Sequence, residues 1–505
     1  MSFISRFAAL LTLLLLAAAS LALHAQENSS SSFVITGAQL ADGTGAPLHL
    51  ASVRVQTGKI VKVGSFLPAK GETVIDARGL VLAPGFIDMH NHSAEGIAAD
   101  PLAETQLAQG ITTVILGPDG GSVWPVGPWL EARRKDPPAL NLATLIGHEA
   151  VRLAVMGENY KRAATPGEIS KMAALVEQSM REGAIGFSSG LEYEVGSYSS
   201  TDEVVALAAA AAKHGGFYET HIRDEADKAF DALQEEISIA ERAHIPVEHS
   251  HIKLGTTAVL GKSAEYIRII EDARKRGVDF LADCYPYDAW HSGLNVLVPD
   301  KQYENPKSVE KALADVGGAS RITITNFAPN TAYENHTIED LAKQAGISPV
   351  DMYIRIYREG DASKTEAGII GQSMLESDIK AFYQQPWVMV ASDGGIAMRH
   401  PRGAGTFPRV LGLFVREKGW LTLPEAIRKM TSLPAQRLGW KDRGVIRENA
   451  VADLVLFNPA TVIDRSTFAQ PFELPSGIEK VFVSGELVWS SGKPTGARPG
   501  KIIAK

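Results

Sequence analysis

Two histidines, His90 and His92, stand one residue apart in the stretch GFIDMHNHSAEG at residues 85–96. In a strand, residues i and i+2 point to the same side. Two imidazoles on one side of a strand end can hold one metal ion. The pattern is short and common, so alone it leaves a metal role open. Further candidates end other apolar runs: Asp119 in ILGPDGG, His221 in ETHIRDE, His251 in EHSHIKLG and Asp393 in ASDGG. Four histidines and two carboxylates make a ligand inventory for a divalent ion. Such an ion lowers the pKa of bound water to about 7 and polarises a carbonyl. A carboxylate beside it can take the water proton and pass it to a leaving nitrogen. Asp393 suits that role, and the set suits hydrolysis of an amide-like bond. Some residues keep a plainer reading. His249 and His148 (in IGHEAVR) can serve as hydrogen-bonding core residues. Asp119 lies in a Pro-Asp-Gly turn, where aspartate often caps the local backbone.

Placing these residues on one rim requires a particular frame. From about residue 80 to 440, short apolar strands alternate with amphipathic helical segments. Strands are predicted at LVLAPGFIDMH, ITTVILGPD, LNLATLIGH, AIGFSSG, FYETHI, IPVEHSHI, VDFLADCYPY and PWVMVASDGG. A helix is predicted over TPGEISKMAALVEQSMREG, with Thr165 as N-cap, Pro166 in the first turn and Gly183 as terminator. Repeated strand–helix units imply a parallel sheet with helical crossovers. Eight of them fit an α/β fold, a closed (β/α)8 TIM barrel, spanning 81–440. No glycine-rich phosphate loop follows the first strand, which weakens an open doubly wound sheet. A barrel puts its site at the carboxyl ends of its strands, where the six candidates fall. An insertion at about 288–385, between strands 7 and 8, lies at that end in the position of a lid. Residues 33–80 and 441–505 are β-rich with turn signals, and neither segment makes a good core alone. They are predicted to pack together as one small β-sandwich domain.

Composition sets the outer limits. The chain has 505 residues, 45% hydrophobic and 21% charged, with a formal charge of −8. That is ordinary globular composition, long enough for one large core and a smaller module. A nucleic-acid partner is not expected, because neutralising phosphates needs a basic face. The start, MSFISRFAALLTLLLLAAASLALHAQ, has Arg6, an apolar run and then small residues. This is a signal-peptide pattern with a cut after Ala25, and the run falls short of the ~20 residues that span a bilayer. Residues 1–25 are thus expected to be removed on export to the periplasm or medium. A flexible start, 26–32, and no stable membrane anchor would remain. Cys284 is the only cysteine. An internal disulfide is therefore excluded, and its strand-like neighbours suggest a buried structural thiol.

Longer strings carry a resemblance. YETHIRDE, SHIKLG, ADCYPY, ASDGG, HPRGAGTFPRVLG, LPAQRLGWKDRGVIRENAVADLVLFNPATVID and GKPTGARPGK resemble the N-acyl-D-amino-acid deacylase (D-aminoacylase) family of the amidohydrolase superfamily, from about residue 33 onward. The resemblance implies a barrel, a β-sandwich built from both termini and an insertion over the site. It implies zinc, and hydrolysis of N-acyl-D-amino acids to a carboxylate and a free D-amino acid. It implies His90, His92, His221 and His251 as metal ligands, with Asp393 as ligand and general base. Arg223 matches a position expected to hold the substrate carboxylate, for which a bidentate guanidinium is suited. The alternative is a salt bridge to Asp224 or Glu225. Lys253 and Tyr287 match pocket positions, and Tyr193 in GLEYEVG is a further substrate-binding candidate. One departure stands out. Family members typically have GNCG, with a metal-bridging cysteine, where this chain has GPDG and Asp119. Nor does AIGFSSGL offer the strand-four lysine used by other superfamily members. A carboxylate is a harder ligand than a thiolate. Asp119 then either bridges two zinc ions, binds one, or leaves the second site weak, and Glu192 is a second candidate bridge. Three functions follow: a deacylase of N-acyl-D-amino acids; a metal hydrolase of dipeptides with a C-terminal D-residue or of cyclic amides; or a periplasmic binding protein without turnover. A small substrate with a free carboxylate needs a cation in the pocket. Asp393 beside the full histidine set argues against binding without turnover.

Overall fold

The computed structural model describes residues 32–94 and 96–504. The predicted leader and nearly all of the predicted flexible start lie outside the described residues. The barrel strands are Phe86–Asn91, Ile111–Leu116, Asn141–Thr144 continued by Ile146–Gly147, Phe187–Gly190, Tyr218–His221, Val247–His249, Phe280–Cys284 and Val388–Val390. Neighbours pair in parallel. Strand three bends at Leu145, whose N–H donates to Leu116 while that of Ile146 donates to Gly186 on the other side. The seam between strands eight and one closes through a parallel bridge, Asn91 to Gly394, and the His92 N–H to the Gly394 carbonyl at 2.7 Å. Buried Asp88 ties the same seam, accepting from the Ser392 N–H at 2.8 Å and its hydroxyl at 2.5 Å. The result is the expected (β/α)8 barrel.

Local cues act as written in one clear case. Helix Pro166–Glu182 starts with a capping box between Thr165 and Glu168 and ends at Gly183 with φ 119°. Its buried residues Met172, Val176 and Met180 recur every fourth position, one stripe facing the core.

Three boundaries differ from expectation. LVLAPGFIDMH is two strands, not one. Val81–Pro84 pairs antiparallel with Leu454–Phe457 in the terminal sheet, while Phe86–Asn91 enters the barrel. The break falls at Gly85, where a Cβ would lie 2.2 Å from the Thr112 hydroxyl. Both halves are fully buried, so hydrophobic pattern gave no sign of it. The insertion is shorter than predicted. It holds a three-stranded antiparallel sheet, Trp290–Gly293, Gly368–Gly371 and Ile322–Asn326, with helices Pro306–Asp315, Ile338–Ala345 and Pro349–Ser363. Helix Glu376–Tyr383 already packs back on barrel strands seven and eight. Thirdly, the end of the chain leaves the small domain. The Leu142 N–H donates to Lys501, and the Ile503 N–H donates to Leu142, so the tail pairs beside barrel strand three.

The terminal segments themselves join in one nine-stranded sheet, with Lys59–Gly64 at one edge and Lys493–Pro494 at the other. Residues from both ends, among them Ile35, Val53, Ile60, Leu82, Leu454 and Phe482, form its own apolar cluster. Among the described residues, no helix is long and apolar enough to cross a membrane.

Candidate metal centre and active site

The carboxyl ends of the barrel strands bring the six sequence candidates together. His90 is the penultimate residue of strand one and His92 lies just past its end; His221 ends strand five. Asp119, His251 and Asp393 lie in the loops just after strands two, six and eight. All three have positive φ, 54°, 37° and 45°. For a side-chain-bearing residue this costs roughly 1–2 kcal/mol, and such strain collects at functional sites. Glycines make the tight path of the Asp119 loop possible. A Cβ at Gly190 would lie 2.2 Å from the Asp119 carbonyl, and one at Gly147 would lie 2.1 Å from that of Gly120.

The donor atoms form two groups. In the first, His90 Nε2 lies 3.3 Å from His92 Nε2, 3.2 Å from Asp119 Oδ2 and 3.4 Å from Asp393 Oδ1. His92 Nε2 lies 3.1 Å from Asp393 Oδ1. In the second, His221 Nδ1 lies 3.0 Å from His251 Nε2, which lies 3.6 Å from Asp119 Oδ1. Behind them, His90 Nδ1 faces Glu219 at 3.4 Å and Asp283 at 3.5 Å. The other Asp283 oxygen accepts the His251 N–H at 2.9 Å. Carboxylates behind an imidazole fix its tautomer and aim the opposite nitrogen outward.

Charge is unevenly placed. Burial pushes the Asp393 carboxyl up, but the Arg402 guanidinium, 2.7 Å away, and His90 outweigh it and hold the group well below the usual range. Burial likewise acts on Asp119 and is outweighed by His90 and His251, which hold it low. Glu219, deeper in the barrel, is pushed up to about 8 chiefly by burial. Asp119 Oδ1 is buried without a hydrogen-bond partner. An unsatisfied carboxylate oxygen among converging imidazoles is the donor chemistry that a divalent cation takes up.

A cavity of about 520 Å³ opens over the centre. Tyr193, Lys253 and Arg402 line it from the barrel side, and Trp290, Val296, Leu297 and Lys301 from the insertion. The Tyr193 hydroxyl lies 3.0 Å from His221 Nδ1. The Lys253 ammonium donates to Glu225 at 2.6 Å and lies 2.9 Å from His251 Nδ1. Glu192 lies 2.7 Å from His221 Nε2, the nitrogen turned away from His251, so it is not placed between the two donor groups.

Two expected pocket residues lie elsewhere. Arg223 forks onto Glu235, a residue of the following helix, at 2.7 and 2.8 Å. It faces a neighbouring cleft rather than the main cavity, and its partner is neither Asp224 nor Glu225. Tyr287 is buried off the cavity, its hydroxyl donating to the Pro401 carbonyl and Asp464 at 3.3 Å each. Arg402, Glu225 and Lys301 line the cavity without having been expected there from the sequence. For Arg402 a signal existed: it follows strand eight in HPRGAG, at the same barrel end as Asp393. His148 pairs with Glu203 at 2.9 Å and His249 with Glu236 at 2.6 Å, both buried and outside the donor groups. The Cys284 thiol is buried against the Ile252 carbonyl at 3.6 Å.

Comparison with known proteins agrees with this architecture. The family model described as "Amidohydrolase family" matches residues 73–489. An N-acyl-D-aspartate deacylase of Alcaligenes xylosoxydans xylosoxydans is 36% identical over 503 residues, covering 94% of this chain and 95% of that protein. A D-aminoacylase of the same organism is 34% identical, covering 94% and 97%. The crystal structure of an N-acyl-D-glutamate deacylase of Bordetella bronchiseptica, complexed with zinc and a phosphonate mimic of the tetrahedral intermediate, superposes with a TM-score of 0.86 at 32% identity, covering 94% and 100%. The chain belongs to the amidohydrolase family.

Proposed function

We propose that this chain is a metal-dependent hydrolase that splits N-acyl-D-amino acids into a carboxylate and a free D-amino acid. The observation that carries this reading is the convergence of four histidines and two aspartates, all but His90 lining one cavity, with cations on its wall. The relatives named above, all deacylases of N-acyl-D-amino acids, support the substrate class. His90, His92, Asp119, His221, His251 and Asp393 would hold one or two divalent ions, with zinc the first choice from the Bordetella relative. When bound, the metal supplies an acidified water and a polarised carbonyl. Asp393 does the proton work. Its carboxylate lies among the donor atoms, 3.1 Å from His92 Nε2, and is oriented from behind by Arg402 at 2.7 Å, so it is placed to accept the water proton and return it to the leaving nitrogen. Lys253 and Arg402 are the cations near the centre that line the cavity, and they suit a free substrate carboxylate. Arg223 lies in the neighbouring cleft, off this cavity, and is not placed for that task. The insertion contributes Trp290, Val296, Leu297 and Lys301 to the cavity wall. The leader pattern at residues 1–25 supports export, so the reaction would run in the periplasm or outside the cell.

A hydrolysis panel on purified protein tests the reading. It pairs D and L N-acetyl amino acids and adds D-terminated dipeptides and cyclic amides, with metal content measured on the same sample. D-selective amine release, lost on chelation and restored by zinc, is expected. Turnover confined to dipeptides or cyclic amides would overturn the substrate class and leave the metal chemistry standing.

A further inference from the structure

Asp393 lies beyond the end of strand eight, in a left-handed conformation with φ 45° that side chains disfavour. The groups that hold it there come from strand one. One oxygen of Asp88 accepts from the Ser392 N–H at 2.8 Å, and the other from the Ser392 hydroxyl at 2.5 Å. That hydroxyl in turn accepts from the Gly394 N–H at 3.0 Å. Both neighbours of Asp393 are thus tied to one carboxylate, directly or through the serine. The network continues to the partner of Asp393. The Asn91 side-chain amide donates to Asp88 at 2.8 Å and to Gln106 at 3.1 Å. Gln106 and Gln109 donate to the Gly403 carbonyl at 3.2 and 2.9 Å, and Gly403 follows Arg402, whose guanidinium meets Asp393. All five side chains of the network, Asp88, Asn91, Gln106, Gln109 and Ser392, are fully buried. A satisfied buried network rigidifies what it touches. A serine also pins the other left-handed aspartate of the site. Ser188, on strand four, accepts from the Gly120 N–H at 3.1 Å and donates to the Gly117 carbonyl at 2.6 Å, on either side of Asp119.

We infer that Asp88, acting through Ser392, is a positioning residue for Asp393. It fixes the carboxylate of the base relative to the strand that carries His90 and His92, and the glutamines fix the backbone beside Arg402 in the same frame. Neither Asp88 nor Ser392 lines the cavity, so neither is placed to touch substrate. Closing the barrel seam does not by itself require them. The backbone closes it, through the Asn91–Gly394 bridge and the His92 N–H to the Gly394 carbonyl. What the side chains add is directed at the two residues flanking Asp393 and at the carbonyl next to Arg402. A base displaced by about 1 Å can lose about 10²-fold in rate. The inference rests on Asp393 being the base of the proposed reaction.

The test is a double-mutant cycle on the full-length, metal-loaded protein. Ser392→Ala removes the hydroxyl and leaves the backbone bond to Asp88 in place. It should lower kcat at least about tenfold while KM and ion content stay within about twofold of wild type. In an Asp393→Asn background the same change should cost no further rate, because the group it positions is already gone. A purely structural role would cost the same factor in both backgrounds. Asp88→Asn puts an amide where the Ser392 hydroxyl and the Asn91 amide both donate, and should behave alike; it serves if Ser392→Ala does not fold. The visible spectrum of the cobalt(II)-loaded protein gives a readout that needs no turnover. Its ligand-field bands should move on Ser392→Ala, since an Asp393 oxygen lies among the donor atoms, and should not move further once Asp393 is asparagine. Equal rate losses in both backgrounds, or a wild-type kcat with unmoved cobalt bands, would overturn the positioning role. Cobalt bands that move in this pattern in a protein without turnover of any N-acyl-D-amino acid would support the positioning role and sink the proposed substrate instead.

Discussion

Replacing Asp393 by asparagine keeps the shape of the side chain and removes its charge, and two separate losses follow. One oxygen of this carboxylate lies 3.1 Å from His92 Nε2 and 3.4 Å from His90 Nε2. The other lies 2.7 Å from Arg402 Nη1, with both side chains at most 5% exposed. The first loss is the proton acceptor. A positioned general base contributes about 10²–10⁴-fold, so kcat should fall at least about 100-fold. The four histidines and Asp119 remain, so metal content should be largely retained. The second loss is the partner of a buried cation. Breaking a buried pair from one side costs about 3–5 kcal/mol. Arg402 keeps some support from the Tyr285 ring, 4.7 Å from the guanidinium carbon, so the low end, about 3 kcal/mol, is expected. Single-turnover hydrolysis, denaturant unfolding and metal analysis on one preparation separate the two effects. Adding Arg402→Met should restore much of the stability and none of the rate. A kcat within tenfold of wild type at full metal content would refute Asp393 as the base. An unfolding midpoint that does not move would refute the ion contact as a source of stability.

Other predictions concern charges away from the centre. Lys429 is buried, donates to the Gln385 and Val388 carbonyls, and is brought down from 10.5 to about 7 chiefly by that burial. Between about pH 7 and 10.5 the unfolded chain then binds more protons than the folded one, so this lysine's penalty fades as pH rises through that window. Lys429→Met should flatten the rise of unfolding free energy between pH 7 and 10; parallel wild-type and variant curves would show that the ammonium is not titrating as described. Arg223→Gln should leave KM for N-acyl-D-amino acids essentially unchanged and lower the melting temperature, because it strips Glu235 of its fork. A large rise in KM would return Arg223 to the substrate carboxylate.

What was legible in the sequence is what neighbouring residues dictate to one another. Strand alternation places His90 and His92 on one side. The Thr165–Glu168 box and Gly183 bound a helix, and the strand–helix rhythm implies the barrel whose rim gathers the six donors. These follow from backbone period and local capping, which need no knowledge of distant chain. The Gly85 break carried a Pro84–Gly85 turn signal, which the apolar residues on both sides masked; the Thr112 side chain from the next strand adds that this position must lack a Cβ. Arginine roles were exchanged for the same kind of reason. Nothing within the string THIR says that Glu235 will reach Arg223, and HPRGAG places Arg402 at the barrel end of Asp393 without saying that the two will pair. Long charged side chains go where the opposite charge arrives, and that is settled by helices and loops packing from elsewhere. Asp119 shows both halves. Its sequence allowed a turn cap or a ligand. The tertiary structure decided, because Ser188 from strand four took over the turn's hydrogen bonds and left the carboxylate facing imidazoles on both sides.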